Sequence, residues 1–120
     1  MTNPVITRRR GERDALLGVA RRWAGGAGPM LGAQVIVVVG SVARGDFNRW
    51  SDIDMLVVVD ELPDDFQGRL ALLGPTGKPP GVQAIVWTPA ELADRRTGGT
   101  DPIAREAYDV GVVVHGRLAD

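Results

Sequence analysis

Apolar residues along the chain fall into two kinds of run. "AQVIVVVG" (33–40) and "DIDMLVVVDE" (52–61) are too continuously apolar to alternate, so each reads as a strand covered on both faces, as at the centre of a layered α/β sheet. "VQAIVW" (82–87) reads as a third strand and "VVVH" (112–115) as a short closing one. Between them the period changes. In "RGERDALLGVARRWA" (10–24), Leu16, Leu17, Val19, Ala20 and Trp23 recur at spacings near three and four, which predicts an amphipathic helix that "GGAGPMLG" (25–32) should stop. "PDDFQGRLALLG" (63–74) opens with Pro and two acids, suiting a first helical turn, and sends Phe66, Leu70, Leu72 and Leu73 toward a core. "TPAELADRR" (88–96) predicts a helix with Thr88 as cap and Pro89 at its first position, and "DPIAREAYDVG" (101–111) another. The expectation is a single α/β domain over residues 12–120, a mixed sheet of three to four strands with flanking helices, behind a flexible basic N-terminus at 1–11.

Composition narrows what such a domain can do. With 120 residues and 44% hydrophobic content there is enough chain for one core and too little for two. Lys+Arg 14 against Asp+Glu 15 leaves no global field to recommend nucleic acid or an anionic membrane, so a polyanion must be held locally. The chain contains no cysteine, which removes disulfides, thiol catalysis and cysteine zinc sites and leaves any metal to oxygen ligands. No apolar run approaches the ~20 residues that cross a bilayer, and the start lacks the apolar centre of a signal peptide; a cytoplasmic location is expected.

The candidate chemistry lies in "GSVARGDFNRWSDID" (40–54). Gly40, at the end of the first strand, lets the backbone turn sharply and approach a ligand, and Ser41 starts a short helical turn whose N–H groups suit a phosphate. The period of two in a strand puts Asp52 and Asp54 on one face. Paired carboxylates repel unless something positive sits between them, and such oxygen pairs suit Mg²⁺ completed by substrate phosphates. For both halves to serve one ligand, the first two strands must run antiparallel with the short helix bridging them.

Gly-Ser, ten residues, then Asp-x-Asp resembles the signature of the DNA polymerase beta-like nucleotidyltransferases. The chain is most similar to their small stand-alone members, the minimal nucleotidyltransferases (MNT) that serve as antitoxins in HEPN/MNT toxin–antitoxin pairs. "VIVVVGSVARG", "IVWTPAEL" and "AYDVGVVVHG" extend the likeness from about Glu12 onward. The resemblance implies a nucleotidyltransferase fold and transfer from a nucleoside triphosphate by two Mg²⁺ ions. Asp52 and Asp54 would hold metal, with Gly40, Ser41 and Arg44 on the triphosphate. A third carboxylate is expected on the next strand. Counting back five residues from Thr88 reaches Gln83, and no Asp or Glu stands between Gly68 and Ala90. A glutamine carbonyl can touch Mg²⁺ but brings no charge and accepts no proton as a base. The implied function is transfer of a nucleotide, AMP from ATP, to a HEPN toxin; the alternatives are a nucleotide-binding antitoxin acting by complex formation and, third, small-molecule modification. Self-association stays open.

Other features have plainer readings. Arg49 is a second candidate for phosphate or acceptor, and Trp50 is expected to cover core rather than stack on a base. Asp46 and Asn48 read as turn residues. "GPTGKPPG" (74–81) lacks the spacing of a phosphate-binding P-loop, which leaves Lys78 a minor candidate for phosphate. His115 reads as a surface residue and Arg8–Arg10 as a solvated tail.

Overall fold

The computed structural model of the protein describes residues 3–120. The chain runs α1 (Pro4–Leu31), β1 (Ala33–Val39), α2 (Gly40–Arg44), β2 (Ile53–Val59), α3 (Phe66–Leu73), a 3₁₀ turn (Gly74–Thr76), β3 (Val82–Trp87), α4 (Pro89–Gly98), α5 (Pro102–Asp109) and β4 (Val112–Gly116). The four strands lie in the order β3-β2-β1-β4. β1 pairs antiparallel with β2 and with β4, while β2 and β3, joined through α3, run parallel. This is the expected single α/β domain with a mixed sheet.

Continuous apolar strands demand cover on both faces, and both faces are covered. Ile36, Val38, Met55 and Val57 point to one side, against Leu17, Ala20, Trp23, Ala24 and Ala27 of α1. Val35, Val37, Leu56 and Val58 point to the other, against Leu92 of α4 and Ala104 and Ala107 of α5. Each fully buried Val or Leu contributes about 1.5–3 kcal/mol, so the two central strands dominate stability. No polar or charged residue is fully buried among those described. None of the helices described is long and apolar enough to cross a membrane.

Two expectations about helices need correction. α1 is not confined to residues 10–24 and does not stop at the glycines: it starts at Pro4, with the Asn3 side chain accepting from the Val5 N–H, and runs through Gly25, Gly26, Gly28 and Pro29 to a left-handed cap at Gly32. The glycines cost helix propensity, but small residues at 20, 24, 27 and 28 let the helix lie close on the sheet. A Cβ on Gly28 would meet the His115 ring at 2.5 Å, so the packing itself requires glycine there. Residues 1 and 2 of the expected flexible segment lie outside the described residues. In α3, only Leu73 is buried; Phe66, Leu70 and Leu72 are exposed. Eight residues make little more than two turns, started by Asp65, which accepts from the Gly68 N–H; Phe66, Leu70 and Leu73 share a face on an open cavity beside Val86 and Trp87, so only Leu73 is fully covered.

Thr88 and Pro89 open α4 as expected, and the cap is reciprocal: the Thr88 hydroxyl accepts from the Glu91 N–H while the Glu91 carboxylate accepts from the Thr88 N–H. Asp101 accepts from the Ile103 and Ala104 N–H groups to start α5.

Candidate active site

β1 ends at Val39, which pairs with Asp54 on β2, so the Gly-Ser turn and the second aspartate are neighbours across an antiparallel ladder. Gly40 takes φ 71°, and a Cβ there would lie 2.5 Å from Asp54 Oδ2. Glycine therefore serves twice: it enters the left-handed region, and it leaves room for the carboxylate.

Two arginines of α1 hold the short helix that follows. Arg13 donates to the Val42 and Ala43 carbonyls at 2.9 and 3.0 Å, and Arg9 to the Phe47 and Gly45 carbonyls at 2.6 and 3.2 Å. Cations on otherwise unpaired carbonyls at a helix end satisfy those acceptors and oppose the local dipole. Arg9 also lies over the Phe47 ring, 4.5 Å from its centroid. Arg9 of the "RRR" triplet is thus docked rather than solvated.

Gly40, Ser41, Arg44, Asp52 and Asp54 all line one cavity of about 520 Å³ between the β1–β2 end of the sheet and α5. The two aspartates are on the same side, as the strand period requires. Gln83 stands beside Asp54 in the parallel register of β2 and β3, but it is exposed, and the β3 residue that lines the cavity is Ile85. At either position β3 supplies no carboxylate.

The acid that does enter the cavity comes from α5. Glu106 Oε2 accepts from the Gly40 N–H at 2.7 Å, and Glu106 Oε1 accepts from Arg44 Nη1 at 2.7 Å. Arg44 Nε meanwhile donates to Asp46 Oδ2 at 3.1 Å, so one guanidinium joins two carboxylates. Its pKa is raised, first by the Asp46 hydrogen bond and then by the charges of Glu106 and Asp46. Asp54 holds its proton more tightly than an ordinary aspartate, chiefly because it is partly buried, then because Asp52 and Glu106 add negative charge that Arg44 only partly offsets. Sequence reasoning did not single out Glu106. The available signal was its place beside the apolar face of α5, one residue before buried Ala107 and three after cavity-lining Ile103.

The remaining candidates disperse. Trp50 is 83% exposed, contrary to the expectation that it covers core. Asn48 and Ser51 close a tight turn, with Asn48 Oδ1 accepting from the Trp50 N–H and Ser51 Oγ from the Asn48 N–H, and the turn points the indole outward while Phe47 takes the core position. Arg49 lies over the Trp50 ring at 5.4 Å. Lys78 donates to the Val82 carbonyl at 2.6 Å instead of facing the cavity. His115 is half-buried against Gly28, with Nε2 3.3 Å from the Ala33 carbonyl.

The sequence profile of the nucleotidyltransferase domain matches residues 30–98, from the end of α1 through α4. The chain belongs to the nucleotidyltransferase domain family. Among solved structures it is similar to a candidate nucleotidyltransferase from Sulfolobus solfataricus, at 21% identity and TM-score 0.68, over 91% of this chain and 87% of that one. It is also similar to a chain of a toxin–antitoxin assembly solved with AMP-PNP, at 18% identity and TM-score 0.55, over 81% of this chain and 73% of that one. At such identities both establish the fold. No curated protein matches the sequence significantly.

As a donor set, Asp52 and Asp54 offer hard oxygens in a cavity where negative charge is in excess, which suits a divalent cation such as Mg²⁺. Among the described residues, no three Asp, Glu, His or Cys side chains are placed to hold a metal between them. A cation at this pair would take its remaining ligands from water and from a bound phosphate.

Proposed function

We propose that this nucleotidyltransferase-family domain binds a nucleoside triphosphate with Mg²⁺ and transfers a nucleotide, AMP from ATP, to a hydroxyl on a partner protein, acting as the antitoxin of a HEPN/MNT-type pair. One observation carries the reading: a glycine-serine turn, an arginine and two carboxylates, drawn from adjoining strand ends, line a single cavity. The likeness to a chain of a toxin–antitoxin assembly solved with AMP-PNP supports both the nucleotide and the protein partner.

In this reading Ser41 and the backbone at Gly40 hold the phosphates, Arg44 neutralises them, and Asp52 and Asp54 hold Mg²⁺, which would align the reacting oxygens and stabilise charge in the transition state. The acceptor oxygen bonds to the α-phosphorus, the bond to the bridging α–β oxygen breaks, pyrophosphate leaves and the acceptor's proton passes to solvent.

A second reading, a nucleotide-binding antitoxin that acts by complex formation, is favoured by β3, which contributes Gln83 and Ile85 where a further acid would complete a two-metal set. Intact-mass analysis after incubating the protein, its neighbouring gene product, Mg²⁺ and ATP separates the two. The transferase reading expects a nucleotide increment on the partner that disappears with Asp52→Ala or Asp54→Ala. A stable complex with no increment, unaffected by those substitutions, contradicts it.

A further inference from the structure

We propose that Glu106 is an internal occupant of the phosphate subsite, a carboxylate that takes the Gly40 N–H and the Arg44 guanidinium and that a triphosphate must displace. The proposal rests on reading the cavity as a nucleotide site. It goes beyond that reading by making the chain its own competitor.

The geometry is that of anion recognition. Each Glu106 oxygen accepts one hydrogen bond, both at 2.7 Å, from a backbone amide and a guanidinium that sit on the cavity wall. Two oxygens across two donors is also how a phosphate engages such a pair. Arg44 has no charge to spare in this arrangement, because Asp46 holds its Nε. Of the charged side chains lining the cavity, Asp52, Asp54 and Glu106 are acids and Arg44 is a base. A polyphosphate entering beside these acids meets repulsion from all three. A divalent cation can screen Asp52 and Asp54, but Glu106 stands on the donors themselves.

Displacement asks little of the fold. The Glu106 side chain is 22% exposed and its backbone is anchored independently, through the Asp101 cap and the buried Ala104 and Ala107 of α5. Rotation about its own side-chain bonds frees both donors. An amide left without an acceptor would be costly, so the carboxylate preserves the cradle and a phosphate oxygen would replace it in kind. Glu106 lies on α5, outside the segment 30–98 that matches the family profile.

Competition lowers apparent affinity by the fraction of time the subsite is open. A carboxylate in place about nine-tenths of the time weakens binding about tenfold. The test is calorimetric titration of a non-hydrolysable ATP analogue with Mg²⁺ into the wild type, Glu106→Ala, Glu106→Gln and Asp46→Asn, each checked for folding by circular dichroism. Glu106→Ala should bind about tenfold tighter than wild type, and Glu106→Gln by an intermediate factor, because an amide still accepts from Gly40 but no longer neutralises Arg44. Asp46→Asn removes the same charge from Arg44 without touching Gly40, and should gain less than Glu106→Gln. Unchanged or weaker binding in the Glu106 variants overturns the proposal and makes Glu106 a brace for the loop, as does an Asp46→Asn gain equal to that of Glu106→Gln. If Glu106→Ala fails to fold, Glu106→Gln and Asp46→Asn decide by the same comparison. Absence of binding in all four proteins overturns the nucleotide reading itself, and this proposal with it.

Discussion

Asp54 sits half-buried on β2 with Asp52 and Glu106 lining the same cavity, and its raised pKa means that its ionised form opposes folding. The sign follows from linkage: for an acid whose folded pKa lies above the unfolded one, near 3.8 here, stability is full below the unfolded value and lost as pH rises through the folded value. With divalent cations chelated, Asp54→Asn should raise the melting temperature at pH 7, the gain shrinking to nothing below about pH 3.8. A melting temperature that falls, or a gain independent of pH, would contradict this account of the carboxylate. Asp52 and Asp54 were legible in the sequence because strand period alone puts i and i+2 on one face. Glu106 was not, because only tertiary packing brings α5 to Gly40, and a lone acid on a short helix looks like any solvated one. Trp50 was misread for a related reason: a turn's side-chain hydrogen bonds, not periodicity, decide where the indole points.

Elements position the site through contacts that lie outside it. α2 has only five residues, too few to be stable alone, and its carbonyl end is held by Arg9 and Arg13 from α1. Arg13→Ala leaves the Val42 and Ala43 carbonyls without those donors, and should cost about 1–3 kcal/mol. Amide exchange over residues 42–47 should accelerate more than exchange in β1 or β2; uniform acceleration would mean that Arg13 supports the fold generally rather than α2. Helix ends with a chemical signature were legible: Thr88-Pro89 opens α4 and Asp101-Pro102 opens α5. The extent of α1 was not, because local propensity marks Gly25, Gly26 and Gly28 as breakers, while only tertiary packing shows that Gly28 is required against His115 and that Ala24 and Ala27 carry the helix on across the sheet. The apolar residues of α3 show the converse limit, since a periodic pattern over two turns does not guarantee that the face finds a partner.

At the scale of the molecule, strand order turns distant sequence into one cavity. β1 and β2 run antiparallel at the centre of the sheet, which sets Gly40 against Asp54; β3 lies parallel to β2, bringing Ile85 to the wall; and the return through α5 to β4 carries Glu106 across the mouth. The antiparallel centre followed from requiring a phosphate cradle and a metal seat to face one ligand, and the covered strands followed from their lack of alternation. The outer order, and the choice of α5 to close the cavity, had no local signature. The central claim is that Asp52 and Asp54 join a divalent cation to a triphosphate held by the Gly40–Ser41 turn. The most direct measurement is calorimetric titration of a non-hydrolysable ATP analogue into the wild type and into Asp52→Asn/Asp54→Asn, with Mg²⁺ and with EDTA. The account predicts one-to-one binding that requires Mg²⁺ and weakens at least tenfold, about 1.4 kcal/mol, in the double variant. Binding of equal strength in EDTA, or equal in the variant, would contradict it.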